Sequence, residues 1–496
     1  MVSPGPHRQR RPGDRVIRRR VDAQQVMELP PPPRRRPVPT ARSNAKVFAL
    51  AYIMLVAIGT VLLSSPLASE SREWTPLVDA LFTAISATAV TGLVTVPTQE
   101  HWSFFGEALI LLMIQAGGMG FMVGASLVLI TLRRSSSLRG SLIMRDGAPT
   151  LSLSEARMLT GRILRFMLVV EAIGATLLAV EYSPESDGIF DAIWWGTFHA
   201  VSAFCNAGFD LQSGGRSLYG FRESFLINLT VMSLVQLGAL SFMFFADLWQ
   251  RKIWLSPVHW HPRRFWYELQ MDSKLILIAN YSLVLFGAIA FMIIEWNTGL
   301  SHIPWALDKV VASFFQSVSA RTAGFATISF SETQSGTLFL WLGMMLIGGA
   351  AASTAGGVKL ATFSVVVLAV LSTVRGQVEP QFGGRRIPTV LVFRAMTIIA
   401  IFLIVHFFLT LSLVFTEDVL NREDFSFLSL MFETMSALAT VGVSTGLTGD
   451  LSSAGKLVLC VAMFVGRLGP LTAVYALQRR ESRQDYRYPE AWVRMG

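Results

Sequence analysis

Ala439-Thr440-Val441-Gly442-Val443-Ser444 is the stretch on which the reading of the whole chain turns. It follows an apolar run of helical length, Phe425 to Leu438, and precedes a polar turn. Glycine there lets successive carbonyls face one way, through φ angles that a side chain disfavours. Carbonyls aligned in that way can replace the water around a cation. A single glycine after a helix is commonly only a C-cap, so one copy carries little weight.

The chain holds four. Gly92, Gly208 and Gly324 each follow a short mixed segment, and the intervals up to Gly442 are 116, 116 and 118 residues. Ten residues before each glycine stands a phenylalanine: Phe82, Phe198, Phe314 and Phe432. A Ser-Ala pair recurs as Ser86-Ala87, Ser202-Ala203 and Ser436-Ala437, and one place later as Ser319-Ala320. The glycine segments read Val90-Thr91-Gly92, Asn206-Ala207-Gly208, Thr322-Ala323-Gly324 and Thr440-Val441-Gly442. Repetition at a fixed period argues for a repeated structural unit. The short helices before these segments would aim their partly negative C-terminal ends at a shared axis, which favours a cation.

Composition places the repeats in a membrane. Of 496 residues, 52% are hydrophobic and 15% charged, against about 25% charged in soluble proteins. The two cysteines, Cys205 and Cys460, exclude a disulfide framework or a cysteine-rich metal site. The net charge of +9 resides in the tails and in one class of loop, a pattern of membrane topology and not of nucleic-acid binding. Met1 to Asn44 is rich in Arg and Pro and is expected to be a disordered cytoplasmic tail, with contact to anionic lipid or a partner as the alternative.

Eight apolar runs can span: Val47–Leu63, Ala108–Leu132, Ile163–Val180, Phe225–Phe245, Leu275–Trp296, Leu338–Leu371, Val390–Phe415 and Leu457–Leu477. Between the members of each pair lies a shorter segment: Leu77–Thr88, Ile189–Phe204, Trp305–Ser319 and Phe425–Leu438. The linkers after the second, fourth and sixth spans are all basic, with Arg133, Arg139, Arg145, Arg251, Lys252, Arg264, Arg375 and Arg385 among their residues. Shared positive charge puts them all on the cytoplasmic side, so the short segments enter and return. Each unit is then span, re-entrant segment, span. The opposite loops hold Glu70, Glu73, Glu100, Glu185, Asp187, Glu417, Asp418, Glu423, Asp424 and Asp450. They are read either as an acidic mouth that concentrates cations or as a solvated surface.

The second span of each unit carries a small-residue break: Gln115-Ala116-Gly117-Gly118-Met119-Gly120, Gln236-Leu237-Gly238-Ala239, Gly348 to Gly357, and Gly466-Arg467-Leu468-Gly469-Pro470. In three units the plain reading is close helix packing. The third has ten consecutive small residues, Gly348-Gly349-Ala350-Ala351-Ala352-Ser353-Thr354-Ala355-Gly356-Gly357. It reads as a broken helix that gates. Lys359 follows it, and Arg467 lies in the fourth unit, as an electrostatic barrier, a hydrogen-bond anchor or a cap for loose carbonyls. Glu171 has no evident partner in the sequence, and His199 and His406 follow no metal-ligand spacing and are read as core or interface residues. No nucleotide, zinc-protease or nucleophile-elbow motif is present.

These residues resemble the Ktr/Trk/HKT superfamily of potassium transporters, most specifically through Ala203-Phe204-Cys205-Asn206-Ala207-Gly208-Phe209, Ser319-Ala320-Arg321-Thr322-Ala323-Gly324-Phe325 and Gly349 to Lys359. The resemblance covers about residues 45–477 and is to the KtrB-type membrane subunit. It implies an all-α membrane protein of four parallel membrane–pore–membrane repeats around one pore, with eight spanning and four re-entrant helices. The expected segments are 1–44 (tail), 45–150, 151–264, 265–382 and 383–480 (repeats) and 481–496 (cytoplasmic tail). Val90, Thr91, Gly92, Asn206, Ala207, Gly208, Thr322, Ala323, Gly324, Thr440, Val441 and Gly442 would form the filter, and Gly348 to Gly357 with Lys359 and Arg467 the gate. Potassium would be the cargo, with sodium as a candidate activator and no organic cofactor. Implied partners are a second copy in a homodimer, a cytosolic nucleotide-binding regulatory ring of the KtrA/TrkA kind, and membrane lipid. The expected location is the plasma or inner membrane, with both termini cytoplasmic. A secondary transporter for another monovalent cation and a membrane-embedded enzyme are the rival readings. The first would commonly show inverted repeats, and the second would want clustered acid, base or metal residues.

Overall fold

The computed structural model describes residues 41–135, 153–186, 188–215, 217–250, 262–377, 379–418 and 425–478. Residues 1–40 and 479–496, most of the first two basic linkers, and the acids Asp187, Glu423 and Asp424 lie outside them. The fold is helical. Its helices of seven residues or more are α1 (Ala41–Ser64), α2 (Leu77–Ala89), α3 (Phe104–Ser135), α4 (Leu153–Tyr182), α5 (Ile189–Cys205), α6 (Phe225–Ala239), α7 (Phe242–Gln250), α8 (Pro262–Glu268), α9 (Met271–Glu295), α10 (Ala306–Ser319), α11 (Ser335–Leu346), α12 (Leu360–Val374), α13 (Thr389–Asp418), α14 (Phe427–Ala439) and α15 (Ser453–Gln478). A small hairpin, Gln381–Phe382 against Arg385–Arg386, interrupts them before α13.

Long helix, short helix, loop, helix recurs four times: α1–α2–α3, α4–α5–α6, α9–α10–α11 and α13–α14–α15. The short helices α2, α5, α10 and α14 match the four short segments of the sequence to within two residues. Each has a largely buried C-terminal half. Packing links one unit to the next. The closing helix of each unit lies on the short helix of the following one: α3 on α5, α6 on α10, α11 on α14. The last, α15, lies on α2 of the first unit, so the succession is closed.

Three described helical stretches, 161–182, 271–295 and 389–418, are long and apolar enough to cross a membrane alone, and the bent pair α6–α7 makes a fourth. The expected span Leu338–Leu371 is divided into α11 and α12 by an irregular loop at 347–359, as its run of small residues predicts. The expected span Phe225–Phe245 is divided too. α6 and α7 meet at 84°, at a small-residue stretch where the sequence favoured close packing. The third unit's loop makes that break possible. Ala350 N–H donates to Ala239 O at 3.1 Å, Thr354 N–H to Gly238 O at 3.3 Å, and Phe242 N–H to Ala352 O at 3.3 Å. Carbonyls released at a helix end need such donors. By contrast, α3 and α15 run unbroken through Gly117-Gly118 and Gly466 to Pro470. There the small residues serve packing, since a Cβ on Gly117 would stand 2.0 Å from Thr88 O and one on Gly466 2.0 Å from Leu438 O.

Candidate functional site

The short helices end in one way three times. Val90, Asn206 and Thr440 take left-handed φ values of 57°, 59° and 50°. The next amide reaches back five residues: Thr91 to Ser86 O at 2.9 Å, Ala207 to Ser202 O at 2.7 Å, Val441 to Ser436 O at 2.8 Å. This is a Schellman ending in which a residue with a side chain fills the usual glycine place. The glycines are therefore not the caps. Gly92, Gly208, Gly324 and Gly442 lie two residues beyond the left-handed residue and are left-handed themselves, at 95°, 71°, 81° and 93°. In the third unit the helix ends two residues earlier in the repeat, at Ser319, and a turn fills the difference. Thr322 is its left-handed residue (φ 74°), and Ala323 N–H bonds Ser319 O at 3.0 Å. The displaced Ser-Ala pair of the sequence stands at this different ending, with Ser319 the last helical residue and Ala320 its cap.

The four glycines converge. A Cβ on Gly92 would lie 2.3 Å from Ala207 O, and one on Gly208 2.6 Å from Gly324 Cα. On Gly324 it would lie 2.9 Å from Val441 O, and on Gly442 1.9 Å from Thr91 O. Each glycine touches the segment of the next unit, and the fourth returns to the first. Only hydrogen in place of a side chain fits at all four corners. All twelve residues assigned to the filter, Val90-Thr91-Gly92 and its three counterparts, fall in these segments. Their eight non-glycine members are buried. The hydroxyls of Thr91, Thr322 and Thr440 are buried without a hydrogen-bond partner among the described residues.

Each segment is tied to the helix before it by the serine of the recurring pair. Ser86 and Ser436 accept from the N–H of Gly92 (3.1 Å) and Gly442 (3.0 Å). Ser202 donates to Phe209 O at 2.7 Å, and Ser319 to Phe325 O. A second brace comes from one turn earlier. Glu433 accepts from Thr445 N–H (2.7 Å) and from the hydroxyls of Ser444 (2.7 Å), Thr445 (3.0 Å) and Thr448 (2.8 Å). Gln316, with its amide oxygen toward the segment after Gly324, accepts from Thr327 and Ile328 N–H, both at 3.0 Å. His199 donates from Nδ1 to Trp195 O (2.8 Å), which leaves Nε2 to accept Leu211 N–H at 3.3 Å. His199, expected to be a core residue, is thus buried and also braces the ring. In the first unit the matching Thr83 hydroxyl has no partner among the described residues.

The loop at 347–359 lies against one side of the ring. Thr354 Oγ1 donates to Gly238 O at 2.9 Å and contacts the Asn206 amide at 2.9 Å. A Cβ on Gly356 would stand 1.9 Å from Thr440 Oγ1. Arg467 Nη1 donates to Thr354 O at 2.6 Å and Nη2 to Gly117 O at 3.2 Å. Lys359 Nζ donates to Ala355 O at 2.5 Å and Gly356 O at 3.3 Å. Both contacts of Arg467 are to backbone carbonyls, which fits an anchor of the loop and a cap for its loose carbonyls alike. Gly348 N–H bonds Val358 O at 3.0 Å, and Leu360 N–H bonds Gly349 O at 3.0 Å, so the loop is pinned at both ends.

Two residues beyond Gly208 stands Asp210, which sequence reasoning passed over. It follows Phe209 directly, and burial pushes its carboxyl up to about 7 despite the Gln212 N–H it accepts. Among the acids read as a mouth, Glu417 is buried instead. It accepts Ser452 Oγ at 2.7 Å and supports the start of α15. Glu100 accepts Gly214 N–H at 2.7 Å.

The cation transport protein family described as TrkH matches residues 36–485. The potassium/sodium uptake protein NtpJ of Enterococcus hirae is 34% identical over 457 residues, covering 92% of this chain and 97% of that protein. The Ktr system potassium uptake protein B of Bacillus subtilis is also 34% identical, over 91% of this chain and 96% of its own length. Among solved structures, the potassium transporter TrkH of Vibrio parahaemolyticus superimposes with a TM-score of 0.66 at 20% identity, over 90% of this chain and 86% of that one. By a family match across nearly the whole chain, and by relatives of that identity and coverage, this chain belongs to the TrkH/Ktr family of membrane cation transport proteins, which are ion transporters and not enzymes.

Proposed function

We propose that the chain takes up potassium through a single pore made of four membrane–pore–membrane repeats, at 45–150, 151–264, 265–382 and 383–480. The observation that carries this reading is the closed ring of left-handed glycines, Gly92, Gly208, Gly324 and Gly442. Carbonyls of the twelve filter residues would replace the ion's water, and the unpartnered hydroxyls of Thr91, Thr322 and Thr440 add oxygens of the right kind. The C-terminal ends of α2, α5, α10 and α14 face the ring and favour a cation. Flow is inward, driven by the membrane potential.

The gate is the stretch Gly348 to Gly357, held by Lys359 and Arg467. Its contacts with Asn206, Gly238 and Thr440 support a closed position against the filter. A homodimer on a cytosolic nucleotide-binding ring, residence in the plasma membrane and cytoplasmic termini belong to the same reading. The Enterococcus relative, named for potassium and sodium, supports keeping sodium as a second ion or activator.

The test is rescue of a bacterium deficient in potassium uptake, with rubidium and sodium fluxes measured. Gly92→Ser and Gly442→Ser place a side chain where a backbone oxygen stands 2.3 Å and 1.9 Å away. Both variants should lose discrimination against sodium while reaching the membrane. Wild-type discrimination in both would remove the filter assignment.

A further inference from the structure

Away from the ring, a crevice of about 740 Å³ opens between α3, α4 and α5. Ligand sites commonly fall between about 300 and 1,000 Å³. Its walls are apolar, with Leu168, Ala179, Ile193 and Val201 among them. Leu168 and Val180 bound a stretch of α4 roughly 18 Å long, room for an extended alkyl chain. Gln115 and Glu171 are also among the lining residues. Glu171 is 4% exposed. Gln115 Nε2 donates to its Oε2 at 3.0 Å, while its Oε1 is buried with no partner among the described residues.

A buried acceptor without a donor is costly, and an anionic one more so. Hydrocarbon walls alone leave it unsatisfied. A ligand with a hydrocarbon chain and a cationic N–H donor at one end satisfies both, because the donor makes a charge-assisted bond to Oε1. We propose that this crevice binds primary alkylammonium amphiphiles, head inward on Glu171.

The site communicates with the ring. Cys205 Sγ donates to Gln115 Oε1 at 3.5 Å. The next residue, Asn206, is a filter residue hydrogen-bonded to Thr354 of the loop at 2.9 Å. An ammonium on Oε1 draws negative charge away from Oε2 and so weakens its bond from Gln115, and Gln115 is the link to Cys205.

The test uses the full chain in nanodiscs of neutral phosphatidylcholine, with dodecylamine as probe and dodecyltrimethylammonium, which has charge but no N–H, as comparator. Binding is read by native mass spectrometry, separately from transport, so this arm does not depend on the potassium reading. Dodecylamine should bind the wild type at least roughly tenfold more tightly than Glu171→Gln, and more tightly than the quaternary comparator. In liposomes it should change rubidium flux of the wild type and not of Glu171→Gln. Equal binding by the variant or by the comparator would overturn the site. So would oxidative cross-linking of two copies through Thr197→Cys without amine binding, because the crevice would then be a subunit contact. Binding with no change in flux would overturn the link to the ring.

Discussion

Val90, Asn206, Thr322 and Thr440 hold φ between 50° and 74°, although none is glycine. Such residues cost of order 1–3 kcal/mol each and persist only where their surroundings over-determine them. The serine ties and the Glu433, Gln316 and His199 braces supply that constraint. The glycines were legible in the sequence because their spacing and chemistry repeat. The braces were not, because acid, amide and imidazole do one job at matching places and share no pattern. Glu433 is the most heavily used, with three hydroxyls and one amide on its carboxyl. Glu433→Ala strands those donors in a buried place, at a cost of roughly 3 kcal/mol. The variant should melt earlier and discriminate less between rubidium and sodium, whereas Glu433→Gln, which keeps an acceptor, should sit between it and the wild type. Thermal unfolding and paired flux measurements would show this order. A second residue has a pH signature. The Asp210 carboxyl, raised by burial to about 7, is neutral below that pH and charged above it. Uptake should rise as the outer pH passes upward through 7, and Asp210→Asn should flatten the curve at the low value. The sign for stability is opposite. Burial disfavours the charged form, so the native state loses stability as pH rises from about 4 through 7, and the variant should be spared that loss. Flux and melting temperature against pH would check both.

At the scale of elements, the third unit's broken helix was legible, since ten small residues in mid-span have little reason to form a packed helix. The break between α6 and α7 was hidden. Gln236-Leu237-Gly238-Ala239 is short enough to pass as a packing site, and the bend needs donors that arrive from more than a hundred residues away, at Ala350 and Thr354. The two breaks are one feature, each satisfying the other's backbone. Thr354 is the shared point: its hydroxyl donates to Gly238 O, and its carbonyl accepts from Arg467. Thr354→Val keeps the shape and removes the hydroxyl, loosening the loop by about 1 kcal/mol. Rubidium flux should then rise several-fold. Deleting 350–355 should raise it further, as measured against the amount of protein in the membrane. Lower or unchanged flux in the inserted deletion would argue that the loop does not gate.

For the whole molecule, four units in a row become a ring only if the last meets the first. Charge in the linkers predicts a repeated direction for the units, but nothing local in the sequence marks the closing contact, because its partners lie at opposite ends of the chain. In the fold it is α15 on α2, with Lys456 Nζ 3.0 Å from Asp79 Oδ1. Both side chains are mostly shielded, at 14% and 16% exposure, so the pair is worth more than a fully exposed one, at about 1 kcal/mol. Asp79→Asn and Lys456→Gln should each lower the melting temperature by a small amount, and their effects should not add, since each removes the same interaction. The exchanged pair, Asp79→Lys with Lys456→Asp, should recover part of the loss of Asp79→Lys alone. Because Asp79 lies in the first turn of α2, which leads to Gly92, the single variants should also weaken discrimination against sodium, though less than Gly92→Ser. Additive losses of stability in the double variant would mean that the two charges act separately and that apolar packing alone closes the ring.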